Sequence, residues 1–120
     1  MTEPTTEPTE LSAEDRKLVT LARATRARTG AAEGAAVRDA DGRTYAAATV
    51  ALPSLQVSAI GVCVAMAVAS GSKGLEAVVL LTEAGAASAE DLAAVRDFAG
   101  EGVPVLVGDP RGTITLTSAS

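Results

Sequence analysis

The sequence predicts a three-layer α/β sandwich on a mixed five-stranded sheet, in the order helix, strand, strand, helix, strand, helix, strand, strand. Three observations carry this. Segments with helical apolar spacing alternate with short Val- and Leu-rich runs, the pattern of helices packed on the faces of a sheet. Asp41-Gly42 and Asp109-Pro110-Arg111-Gly112 are tight-turn sequences, and each joins two strand candidates by a connection too short for a crossover, so those pairs are antiparallel. The chain of 120 residues has the length of one domain with one core.

The first ten residues repeat Thr2-Glu3-Pro4-Thr5 as Thr6-Glu7-Pro8-Thr9. Polar, acidic and Pro-containing, residues 1–11 are expected to form a disordered tail, leaving 12–120 as the domain. Ser12 is placed to cap the first helix, with Asp15 three residues on as an Asp variant of the capping box. Leu18, Leu21, Ala22 and Thr25 give its apolar stripe. Acids lie at its start and Arg23, Arg26 and Arg28 near its end, as the helix dipole favours, and Gly30 ends it.

Strands are expected over Ala35–Asp39 and Arg43–Ala47, followed by a loop broken by Pro53. From Ser58 to Ser70 the chain is almost wholly apolar and too long for a typical strand. Gly61, Ala65 and Ala69 recur every four residues, as do Ala59, Cys63 and Ala67, which predicts a helix buried all round. Glu76–Leu81 reads as a central strand. Ser88 opens a third helix with Leu92, Val95 and Phe98 toward the core, and Val103–Val107 and Thr113–Thr117 complete the sheet.

Composition narrows the function. The net charge of -5 disfavours bulk nucleic-acid or anionic-membrane binding. The uncharged stretch from Thr44 to Ser72 is interrupted by Pro53, Ser54, Gln56 and Ser58, and its apolar part falls short of the roughly 20 residues of a bilayer span. With no secretory pattern and a single cysteine, Cys63, a cytoplasmic, reducing location is expected. Histidine is absent, which removes Ser-His-Asp triads, Cys-His dyads and His-ligated zinc. No phosphate-binding glycine motif is present. Ala-rich composition with Arg outnumbering Lys is associated with GC-rich bacterial genomes.

Gly34-Ala35-Ala36-Val37, Asp41-Gly42-Arg43-Thr44-Tyr45 and the strand-turn-strand from Val103 to Ile114 resemble the small homotetrameric cytidine deaminases over roughly residues 16–116. The resemblance implies a zinc enzyme. A Cys or His and, two residues later, a catalytic Glu begin the second helix, and Pro-Cys-x-x-Cys adds two ligands at the third. Laid on that frame, Ile60 takes the first ligand position, Val62 the catalytic one, and Ser88 and Asp91 the two Cys positions. The family's ribose-gripping Asn-x-Glu falls on Thr49-Val50-Ala51, and its aromatic platform near Ala31. The zinc ligands and catalytic Glu are therefore absent, and no cofactor is expected.

Ser58 and the Ser88–Asp91 pair are expected to cap the two helices in place of the metal, with Ile60 and Val62 filling the vacated space. Cys63 is expected to be an inert core thiol. Glu83 is expected to be a solvated loop charge, and Arg16, Lys17, Arg23, Arg26 and Arg28 an exposed helix face paired with acids.

The resulting expectation is a catalytically inactive cytidine deaminase-like pseudoenzyme. It would act as a homo-oligomeric scaffold, tetramer or dimer, or as a module for a protein partner or small ligand. The alternatives are a nucleoside deaminase with an unrecognised or non-zinc site, and a metal-free nucleoside sensor.

Overall fold

The computed structural model describes residues 11–120, so the predicted tail lies almost wholly outside the described residues. Helix α1 (Ala13–Thr29) begins as expected, with Ser12 Oγ accepting the Asp15 N–H at 3.0 Å, and ends at Gly30 in the left-handed region. The reciprocal half of the capping box is not made. The Asp15 carboxylate accepts from Arg38 at 3.1 Å instead. The buried stripe is Leu18, Val19, Ala22 and Thr25; Leu21, expected inside, is 37% exposed. Among the described residues the basic side chains of α1 form no ion pairs, contrary to expectation. Arg23 and Arg26 donate to the carbonyls of Arg111 and Ala32.

The strands are β1 (Gly34–Asp39), β2 (Thr44–Ala48), β3 (Val50–Leu52), β4 (Leu55–Val57), β5 (Leu75–Leu81), β6 (Pro104–Gly108) and β7 (Ile114–Ala119). Helices α2 (Ala59–Ala69) and α3 (Ala89–Ala99) complete the chain. The main sheet has the order β2-β1-β5-β6-β7. Only β5 and β6 run parallel; the other neighbours are antiparallel, giving the mixed sheet the short turns require.

Residues alternate across this sheet with period two. Ala35, Val37, Val78, Leu80, Val105 and Val107 share one core with α2 and α3. Ala36, Ala77, Val79, Leu81 and Leu106 share the other with α1. The central strand β5 is apolar on both faces because it is covered on both. Close approach needs small residues: a Cβ at Gly34 would run into the Ala22 carbonyl of α1.

Two features depart from expectation. The segment around Pro53 is a small hairpin, with β3 and β4 paired antiparallel and Pro53-Ser54 at its turn. Three-residue strands carry too little periodicity to stand out in sequence. Helix α2 is not buried all round. Ala59, Ile60, Cys63 and Ala67 face the core, whereas Ala65, Val68 and Ala69 are exposed.

The β1–β2 and β6–β7 connections are built alike. Asp39 Oδ1 accepts the N–H groups of Asp41 and Arg43, and Asp109 Oδ1 those of Arg111 and Thr113. In each, the fourth residue is a glycine with positive φ (Gly42, Gly112) whose N–H donates to the carbonyl of that Asp. The turn is thus an Asp-x-x-Gly unit one residue longer than a two-residue hairpin loop, with the carboxylate satisfying the amides that turning leaves open.

Candidate functional site

The starts of α2 and α3 are brought together at one end of the sheet. Ser58 has extended backbone geometry and caps α2, its Oγ accepting the Gly61 N–H at 3.0 Å. Ser88 does the same for α3, accepting the Asp91 N–H at 3.0 Å. The expected reciprocal bond from Asp91 to its own cap is replaced by a longer-range one. Ser58 Oγ donates to Asp91 Oδ1 at 2.6 Å and ties the two helix starts across 33 positions of sequence. The Asp91 carboxylate therefore lies between the positive ends of two helices, where their dipoles favour an anion.

Ile60, two residues after Ser58, is fully buried in the core, and Val62, one turn into α2, is partly buried against the same core. Cys63 is buried, and burial pushes its thiol up to about 12. A thiol so raised stays protonated near neutrality and packs as an apolar residue.

The cap and the cross-helix bond predict a measurable coupling. Ser58→Ala removes both and is expected to cost about 1–3 kcal/mol, while Asp91→Ala keeps the Ser58 cap and removes the bridge together with the carboxylate's interaction with the helix ends. A double-mutant cycle in urea should return a coupling of about 1 kcal/mol. Additive single effects would mean the bridge contributes nothing.

Thr49 and Ala51 diverge. Ala51 is exposed on β3. Thr49 Oγ1 accepts the Glu33 N–H at 3.0 Å and lines a hollow of about 280 Å³ with Arg26, Glu33, Thr82 and Glu83. Thr82, only 4% exposed, donates to Glu33 Oε2 at 2.8 Å and accepts the Ala84 N–H at 3.0 Å. Glu33 and Thr82 were not singled out from sequence. They lie 49 positions apart, and no local pattern pairs them.

Among the described residues no helix is long and apolar enough to cross a membrane. Three helices on two faces of this sheet, with two of them starting side by side and joined by the Ser58–Asp91 bond, define a three-layer α/β sandwich. The cytidine deaminase-like family model matches residues 11–112, and the chain belongs to that family. Solved structures agree in fold. The cytidine deaminase from Burkholderia pseudomallei is 17% identical with a TM-score of 0.77, over 91% of this chain and 93% of that one. The cytidine deaminase from Mycobacterium leprae is 18% identical with a TM-score of 0.69, over 90% and 94%. The cytidine deaminase from Mycobacterium tuberculosis is 20% identical with a TM-score of 0.66, over 83% and 88%. No curated protein matches the sequence.

Proposed function

We propose that the chain is a catalytically inactive member of the cytidine deaminase-like family, acting as a homo-oligomeric scaffold or a partner- or ligand-binding module. The observation that carries this reading is the Ser58–Asp91 bond. Of the positions matched to the family's ligands, only Asp91 offers an ionisable donor, and its Oδ1 already accepts from Ser58 at 2.6 Å. Ile60 is buried and has no side-chain donor atom; Val62, in the catalytic position, has no proton to give or take. Zinc sites are built from thiolate, imidazole and carboxylate in sets of three or four. Among the described residues no group of three or more His, Cys, Asp or Glu side chains could hold a metal ion. These residues do not fit zinc.

Self-association is supported by apolar surface. Val68 on α2 is 53% exposed, and Leu52 and Leu55 on the β3–β4 hairpin are 56% and 53% exposed. A small Ala- and Val-rich core contributes limited burial at about 25 cal/mol per Å², and covering this surface with further copies would add to it.

Metal analysis, cytidine turnover and native mass spectrometry test the proposal. No stoichiometric zinc, no uridine from cytidine and a mass of more than one copy are expected. Stoichiometric zinc or uridine production would overturn the inactive reading, and a monomer would remove the homo-oligomeric scaffold.

A further inference from the structure

A larger cavity, of about 510 Å³, opens at the carboxyl ends of β5 and β6, the one parallel pair of the main sheet. Open α/β sheets hold ligands at that end, where the chains leaving adjacent parallel strands part and leave a crevice. The volume lies in the range of small-molecule sites. None of the positions matched to the family's zinc, catalytic or ribose residues lines it.

Its walls are fixed from both sides. Thr82 is buried and bonded at both its donor and an acceptor site, to Glu33 and to the Ala84 N–H. On the opposite wall, Asp109 Oδ1 accepts the N–H groups of Arg111 at 2.9 Å and Thr113 at 3.1 Å. Arg23 of α1 donates to the Arg111 carbonyl at 3.4 Å. The turn that presents Arg111 is therefore held in place while its side chain, 89% exposed, remains able to move.

The charges on these walls are complementary to a ligand bearing both signs. The Glu83 carboxylate makes no hydrogen bond or ion pair with any described residue, yet lines the cavity. The Arg111 guanidinium is only loosely held, 3.7 Å from Asp109 Oδ2. One cavity thus carries a carboxylate with no described partner at Glu83 and a guanidinium at Arg111. A molecule bearing both an ammonium and a carboxylate answers both charges. We propose that this cavity binds a small zwitterion of the α-amino acid class, its ammonium at Glu83 and its carboxylate at Arg111. Thr115 also lines the cavity, its hydroxyl donating to the Val107 carbonyl at 3.5 Å.

Titration of the full-length ¹⁵N-labelled chain with the proteinogenic amino acids, one at a time, tests this by NMR. Methylammonium chloride and sodium acetate are the single-charge controls. At least one amino acid should give saturable shifts of the Thr82, Gly85, Gly108 and Gly112 amides. Because Glu83 and Arg111 are exposed, Glu83→Gln and Arg111→Gln should fold normally, and each should weaken binding about tenfold. Glu101→Gln, before β6 and away from this cavity, should leave it unchanged. No saturable shift with any amino acid, an equal response to acetate or methylammonium alone, or binding indifferent to both cavity variants would each overturn the proposal.

Discussion

Asp39→Ala is expected to lower the melting temperature by on the order of 10 °C, the largest loss from any single polar side chain in this fold. The Asp39 carboxylate is fully buried. Its Oδ1 accepts the N–H groups of Asp41 and Arg43, each at 2.9 Å. Its Oδ2 accepts from Ser72 at 3.0 Å and Tyr45 at 3.4 Å, with Arg43 Nε 3.4 Å away. One side chain thus joins the β1–β2 turn to the segment between α2 and β5. Alanine would leave two turn amides and the Tyr45 hydroxyl without this acceptor, though Ser72 retains the Gly74 carbonyl at 3.3 Å. Thermal unfolding of Asp39→Ala beside Asp39→Asn measures this. An unchanged melting temperature for the alanine variant would show that water replaces the carboxylate at no cost.

The same group sets the acid limb of stability. Burial pushes the Asp39 carboxyl up, but hydrogen bonds from Arg43, Ser72 and Asp41 and the Arg43 charge outweigh it and hold it below the ordinary carboxylate range. Asp109 is also lowered, chiefly by the Thr113 amide. A depressed folded-state pKa means the unfolded chain binds the proton more tightly. The stability from both carboxylates is therefore present above the unfolded value of about 4 and is lost as pH falls through the lower folded values. Asp39→Ala should flatten that acid limb.

Ile60→Ala is expected to cost about 2–4 kcal/mol, the second large effect. Ile60 is fully buried where α2 begins, so truncation deletes packed methyl groups and leaves a cavity. Val62→Ala, at a partly exposed position, should cost less. Urea unfolding of the two variants distinguishes packed volume from open space. A cost below about 1 kcal/mol for Ile60→Ala would mean that solvent already reaches the space between the helix starts.

Much of the fold was legible in the chain because its signals are local. Ser12, Ser58 and Ser88 each cap the helix expected of them, and Gly30 stops α1 with positive φ. The Val- and Leu-rich run of β5 marked a strand covered on both faces. The β3–β4 hairpin did not show, since three-residue strands beside Pro53 have no period to read. The exposed side of α2 was misread for a related reason: Gly61, Ala65 and Ala69 look as apolar in sequence as Ala59, Cys63 and Ala67, and only packing decides which stripe meets the sheet.

For the candidate site, the sequence by itself determined which donors the chain can offer: it has no histidine and one cysteine. The proposed match of Ile60, Val62, Ser88 and Asp91 to the family's ligand and catalytic positions rests on the sequence alone. Only the tertiary structure decided what stands there instead. Local capping logic assigned Asp91 to its own helix, but its carboxylate turns to Ser58, 33 positions away. Likewise Asp39 meets Ser72 and Glu33 meets Thr82 across long separations. The physical reason is common to all three. A cap or turn is a contest among neighbours in sequence, whereas the partner of a buried or half-buried carboxylate is whichever donor the packed sheet and helices carry to it.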